Sequence, residues 1–249
     1  MRNGASIWIA SVAILVSSWL LPATYNEPIK CLGNRVLLLT AHPDDECMFF
    51  APTVLALTDS ADVDLYSLCL STGDADGLGK ERVRELAASL GILGIPSNQS
   101  QVLDLLDLRD DIAKPWNHHV IAAVVQRYVH EHRIDTILTF DAQGVSSHPN
   151  HASLPHGARL VQGVRVATLH TVPLWVKYQA SLPALLHKSG ILRFLPSLPA
   201  SHGTYSATAA QYLRAVQAMQ AHSTQMVWFR WLYITFSRYM WTNDWTCIQ

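Results

Sequence analysis

Charge is scarce in this 249-residue chain: Asp, Glu, Lys and Arg together make up 15% of it, against roughly 25% in ordinary soluble proteins. The formal net charge is -1, so the chain lacks the basic field that nucleic-acid binding requires, and nucleic acid is excluded as a partner. There is no internal repeat and no low-complexity tract. Cysteine is limited to Cys31, Cys47, Cys69 and Cys247. None forms a CxxC pair, and their spacing matches neither a zinc ribbon nor a disulfide framework. That usage suits a reducing compartment, with Cys69 a buried thiol in an apolar run and Cys47 a packing residue. What the chain has in quantity is apolar: 49% of its residues are hydrophobic, ample for one domain with a sizeable core.

Two stretches carry membrane signals. No charged residue occurs between Arg2 and Glu27. Within that gap residues 7–21 are strongly apolar, and with their uncharged flanks they reach the roughly twenty residues needed to span a bilayer. Trp8 and Trp19 sit near the two ends, as interfacial anchors do. Leu21-Pro22-Ala23 is a poor cleavage site, so residues 1–24 read as a retained anchor rather than a removed signal peptide. Positive-inside counting leans slightly toward a cytosolic domain. Near the other end, residues 227–241 hold Trp228, Phe229, Trp231, Tyr233, Phe236, Tyr239 and Trp241, with Arg230 and Arg238 among them. Two arginines at mid-membrane would be costly, so this is an interfacial segment or a set of aromatics packed on the core, not a span.

Between these signals, after a linker over 25–34, strand and helix patterns alternate through a single domain over 35–249. Strands are expected at 36–40, 63–70, 101–106, 134–140 and 166–172. Helices are expected at 46–58 despite Pro52, at 80–90 with Gly91 and Gly94 as stops, at 116–132 with Pro115 at its start, at 150–161 and at 207–221. Residues 181–204 read as an irregular excursion over the surface. This alternation predicts an α/β fold: a Rossmann-like, mostly parallel sheet with helices on both faces.

Two motifs fall where such a sheet binds ligands, beyond the carboxyl ends of its strands. Ala41-His42-Pro43-Asp44-Asp45-Glu46 follows the first strand, and His148-Pro149-Asn150-His151 follows a later one. His42 and Asp45 can face one point, with Asp44 beside them. Of His148 and His151, one can bind a metal while the other stays free. Two imidazoles and a carboxylate suit Zn2+ and also Fe2+. The remaining carboxylate and imidazole supply a base and an acid, which together fit hydrolysis of an amide. Asp74 and Asp76, in the loop 73–79, are candidates for sugar hydroxyls, and Arg82, Arg84 and Arg230 for a phosphate. The interfacial signals point to a substrate held at a membrane surface.

At these motifs, at the loop 71–79, at 82–86 and at 139–151, the chain resembles the PIG-L/LmbE family of zinc-dependent de-N-acetylases over about 34–239. The resemblance implies that His42, Asp45 and His151 bind zinc, that Asp44 is the general base, that His148 serves the leaving group or the oxyanion, and that Glu46 supports the ligands from behind. The Gly-Asp-Ala-Asp-Gly-Leu-Gly loop, the anchor and the late stretch His222-Ser223-Thr224-Gln225 through Met240 are most similar to the eukaryotic branch, with His222 among the candidate substrate contacts. Gln143 stands where that branch often has glycine, and Thr224 where serine is expected. The branch implies removal of the N-acetyl group from the glycolipid N-acetylglucosaminyl-phosphatidylinositol, the second step of GPI-anchor synthesis. It also implies a single-pass protein of the endoplasmic reticulum membrane with its catalytic domain facing the cytosol. The alternative is a de-N-acetylase acting on a soluble N-acetylglucosamine conjugate or oligosaccharide.

Overall fold

The computed structural model describes residues 26–180 and 201–249. Five strands, β1 (Arg35–Thr40), β2 (Asp64–Cys69), β3 (Ser100–Val102), β4 (Thr136–Phe140) and β5 (Arg165–Leu169), pair in parallel. β6 (Gly203–Ser206) and β7 (Thr242–Cys247) extend the sheet antiparallel, giving the order β3-β2-β1-β4-β5-β7-β6. β1 and β4 lie at the centre, and nearly every residue in them is buried. That burial is why they read as continuous apolar runs rather than alternating ones.

The helices are α1 (Asp45–Met48), α2 (Ala51–Thr58), α3 (Gly79–Leu93), α4 (His118–His132), α5 (Pro149–Ala158), α6 (Leu174–Lys177), α7 (Ala209–Ala221) and α8 (Trp228–Phe236). Local chemistry sets their ends. Asn117 caps α4 by accepting from the His119 N–H. Thr208 and Gln211 close a reciprocal capping box on α7, satisfying two otherwise unpaired N–H groups. α3 runs through Gly91 and stops at Gly94, whose φ of 90° few other residues adopt comfortably.

Several expectations need correction. The single helix over 46–58 is two, α1 and α2, separated at Phe49 and Phe50, with Pro52 in the first turn of α2, where its missing N–H costs nothing. Pro115 lies ahead of α4 rather than at its start. The strand around 101–106 is reduced to β3, because the chain turns into a 3-10 turn at Leu106–Leu108. Of the expected excursion over 181–204, residues 181–200 lie outside the described residues, and Gly203 and Thr204 belong to β6. β7 has no periodic signal in the sequence, yet it carries the fully buried Trp245. That ring stacks on Phe50 and donates from Nε1 to Thr53 Oγ1 at 2.9 Å.

The cysteine reading is also overturned. Cys31 and Cys247 form a disulfide across 216 residues of sequence. Spacing alone cannot reveal such a pair; β7 brings it together by lying beside the start of the domain. The segment after residue 25 is tied down there as well: Glu27 and Thr204 exchange backbone hydrogen bonds of 2.8 Å, and Ile29 is buried. Cys47 and Cys69 are buried free thiols. Among the described residues no helix is long and apolar enough to cross a membrane; residues 7–21 lie outside them.

Candidate active site

The chain leaves β1 into a turn held by its own side chains. Asp45 Oδ2 accepts from the N–H groups of Ala41 and His42, both at 2.9 Å. This fixes the carboxylate so that its other oxygen, Oδ1, lies 3.2 Å from His151 Nε2. His151 sits on α5, and its ring stacks on Phe140 at the end of β4, 4.2 Å between centroids and 7° from parallel. His42 Nδ1 approaches His151 Nε2 to 3.1 Å. Ends of two neighbouring strands thus deliver one carboxylate oxygen and two ring nitrogens to a common point.

The outward nitrogens of those rings settle what the inward ones are. His151 Nδ1 faces the Gly144 carbonyl at 3.1 Å. His42 Nε2 faces Asn150 Oδ1 at 3.1 Å and Asp110 Oδ1 at 3.2 Å. A ring nitrogen that faces an acceptor carries the proton, so the inward nitrogens present lone pairs to each other. Two lone pairs and a carboxylate oxygen converging in a buried spot repel unless a cation joins them. The residues therefore fit a divalent metal, with the outer partners orienting the ligands. His148 stands next to this point: its ligand nitrogen lies within 4.8 Å of those of His42 and His151.

His148 is the residue capping α5. Its Nδ1 accepts from the Asn150 N–H at 3.3 Å, which leaves Nε2 to carry the proton toward the site, 3.7 Å from Asp110 Oδ1. Burial, reinforced by the neighbouring rings of His42 and His151, pushes its pKa down to about 4. Asp44 is buried with a φ of 115°, a conformation non-glycine residues avoid. Burial raises its pKa, against the pull of Arg230 at 3.0 Å and Arg82 at 3.8 Å. Burial also opposes ionisation of Asp45, but the His151 and His42 imidazoles outweigh it and hold the carboxyl well below the usual carboxylate range.

A cavity of about 680 Å³ opens over this constellation. Of the residues singled out in the sequence, it is lined by His42, Asp44, Asp45, Arg82, His148, His151 and Arg230. Both arginines are committed to carboxylates: Arg230 to Asp44, and Arg82 to Asp44 and Asp110 while its nitrogens also donate to the Gly73 and Pro43 carbonyls. Glu46 and His222 lie beneath the floor, both fully buried. Glu46 Oε1 meets His222 Nε2 at 2.7 Å and its Oε2 accepts from the Asp44 N–H at 3.0 Å. His222 therefore does not face the cavity. Burial disfavours charge on both groups, yet each holds the other ionised: Glu46 is shifted down and His222 up. Arg84, Asp74 and Asp76 are exposed and do not line the cavity. Asp74 instead accepts from the Gly79 N–H at 2.6 Å and so holds the start of α3.

Asp110, Asn150 and Lys177 were not singled out in the sequence. Asp110 follows β3 at the same edge of the sheet as the two motifs, and that placement was the available signal. The far wall of the cavity is apolar: Phe229, Leu232, Tyr233 and Phe236 of α8, with Tyr178. Residues 227–241 divide their aromatics. Tyr233, Tyr239 and Trp241 are buried, whereas Trp228 is 76% exposed and Phe229, Trp231, Leu232 and Phe236 are 40–51% exposed.

Comparison with known proteins agrees with this geometry. Residues 37–161 match the family described as PIG-L: GlcNAc-PI de-N-acetylase. The N-acetylglucosaminyl-phosphatidylinositol de-N-acetylase of Bos taurus is 38% identical over 221 residues, which span 85% of this chain and 83% of that protein. A probable enzyme of the same name from Schizosaccharomyces pombe is 32% identical over 95% of this chain and 97% of its own length. Among solved structures, the N,N'-diacetylchitobiose deacetylase of Pyrococcus horikoshii superposes with a TM-score of 0.59 at 15% identity, over 100% of this chain and 94% of that one. That last likeness establishes the fold.

Proposed function

The chain belongs to the PIG-L family of GlcNAc-PI de-N-acetylases, and from there we propose that it hydrolyses the N-acetyl group of N-acetylglucosaminyl-phosphatidylinositol, giving glucosaminyl-phosphatidylinositol and acetate. This is the second step of GPI-anchor synthesis. The observation that carries the reading is the convergence of His42, Asp45 and His151 beside a second carboxylate, Asp44, and a third imidazole, His148, in a cavity with an apolar wall.

His42, Asp45 and His151 hold the metal, and Zn2+ suits this donor set, with Fe2+ tolerated by the same ligands. When bound, the ion makes water acidic enough to deprotonate near neutrality and polarises the amide carbonyl. The chain does the rest. Asp44 takes the proton from the attacking water as the O–C bond forms, and the Arg230 and Arg82 guanidiniums keep its carboxylate aimed. His148 offers its Nε2–H as a hydrogen bond to the developing oxyanion, and the proton that Asp44 took from water passes to the departing nitrogen, which leaves as an amine as the C–N bond breaks. Glu46 holds the Asp44 backbone from below.

Attachment to the membrane has two parts. Residues 7–21 anchor the chain in the endoplasmic reticulum membrane, with the catalytic domain on the cytosolic side. The exposed aromatic face of α8, with Leu174 and Trp175 of α6 at 71% and 64% exposure, lies against the lipid headgroups. The mouth of the cavity then meets the layer in which the substrate sits.

Acetate release from N-acetylglucosaminyl-phosphatidylinositol by the purified protein, before and after chelation, tests the reading. The expected result is release that stops with chelator and returns with Zn2+. A folded, zinc-loaded protein that releases no acetate from this lipid but does so from soluble N-acetylglucosamine conjugates would replace the substrate while leaving the reaction.

A further inference from the structure

Lys177 is a buried cation in the cavity wall with no carboxylate to pair with. It is 8% exposed and lines the cavity together with Ser146, His148 and Tyr178. Its Nζ donates to the Val145 carbonyl at 3.3 Å. Among the described residues no Asp or Glu side chain lies within ion-pair distance of it. The remaining stretches, 1–25 and 181–200, contain no Asp or Glu at all. No carboxylate side chain of this chain is therefore available to it. An ammonium group has three donors, and one is placed here.

Leaving a buried charge uncompensated costs free energy, and the cavity's other cations show the contrast. Arg82 and Arg230 both rest on Asp44. The surroundings of Lys177 are also unusual. Val145, whose carbonyl it holds, has a φ of 57° and a ψ of -42°, an outlier for a β-branched residue. Gly144 and Ser147 on either side also have positive φ. This one turn sets the Gly144 carbonyl on His151 and the Val145 carbonyl on Lys177. Burial lowers the Lys177 pKa, and no charged neighbour counters it.

Its contacts put Lys177 between two parts of the cavity. Through Val145 it touches the turn that leads into His148. On the other side its Nζ sits 5.9 Å from the centre of the Tyr178 ring, at the apolar wall. We propose that Lys177 is the phosphodiester site of this enzyme: its ammonium takes the phosphate that joins the inositol headgroup to the lipid, while the acetamide lies at His42, Asp45 and His151 and the glyceryl end leaves along Tyr178 and α8. The assignment rests on the substrate reading above and adds a residue to it. Neither arginine is free for the task, since both rest on Asp44.

Two substrates separate the possibilities: a short-chain N-acetylglucosaminyl-phosphatidylinositol kept monomeric in solution, and N-acetylglucosaminyl-inositol, which lacks the phosphate. Lys177→Gln should lower kcat/KM on the first by about 10- to 100-fold, the size of a lost charge-assisted hydrogen bond, chiefly through KM. On the second it should change kcat/KM by less than about 3-fold, which also shows that the variant folds. Lys177→Arg should keep most of the activity on the first. Equal losses on both substrates would overturn the assignment and put Lys177 at the reaction itself. So would no loss on either, or a wild-type enzyme that treats the two substrates alike. A loss seen only on vesicles containing anionic lipid, and not with monomeric substrate, would give the site to the phosphate of a neighbouring lipid instead. A wild type that releases acetate from neither compound would overturn the substrate reading itself, and this assignment with it.

Discussion

Asp44 occupies a backbone conformation that costs about 1–3 kcal/mol, and four groups hold it there: Glu46 accepts from its N–H, the Met48 N–H and the Cys47 thiol donate to its carbonyl, and Arg230 pairs with its carboxylate. This makes the side chain replaceable without loss of the turn. Asp44→Asn should abolish acetate release while leaving the metal content of the purified protein unchanged. Near-normal turnover in that variant would remove Asp44 from the chemistry. Gly144 makes the opposite case. With a φ of 61° and space for a Cβ only 2.8 Å from His151 Cβ, it cannot become alanine without displacing His151, the ligand proposed above. Gly144→Ala should weaken metal binding by at least about 10-fold, measured by competition with a chelator. Zinc affinity unchanged in that variant would mean the ligand adjusts freely.

Elements differ in how plainly the sequence announces them. β1, β4 and α3 carry strong patterns and appear within one to three residues of expectation. The two motifs were legible because each follows such a strand. β6 and β7 were not, since both are short, polar in part, and stabilised by long-range pairing rather than by their own pattern. The same reason hid Asp110 and Lys177, whose meaning comes only from what surrounds them. α8 was visible as an aromatic stretch but not as a helix with a buried and an exposed side. That division gives a prediction. Trp228→Ser combined with Trp231→Ser should reduce partitioning onto phospholipid vesicles by at least about 10-fold, as interfacial aromatic area is lost, while turnover of monomeric short-chain substrate persists. Unchanged partitioning would return the face to solvent. Beside it, Arg238 and Asp244 form a buried pair at 2.6 Å. Burial opposes charge on Asp244, but Arg238 outweighs it and lowers its pKa. The stability this pair gives is therefore complete above the ordinary aspartate range and is lost as pH falls through the lowered value. An Asp244→Asn variant should show a shallower acid dependence of its melting temperature than the parent, and an identical one would deny the pair that role.

The domain as a whole is closed by its last residues. The Cys31–Cys247 bond spans 216 positions, and closing so long a loop restricts the unfolded chain. Reduction of the oxidised protein should lower its stability by about 2–5 kcal/mol, read as a fall in melting temperature that Cys31→Ser reproduces; no fall would mean strand pairing alone holds the two ends. The same late residues complete the site. Arg230 steadies Asp44, His222 neutralises Glu46, and β7 is inserted between β5 and β6. All of these partners lie after residue 220, well beyond both motifs. Domains form from the amino terminus as synthesis proceeds, yet here the motif after β1 waits on partners 176 and 186 residues further along. The first motif can therefore take its final form only in a chain whose later residues have folded back onto it, which couples maturation of the site to insertion of β7 between its neighbours.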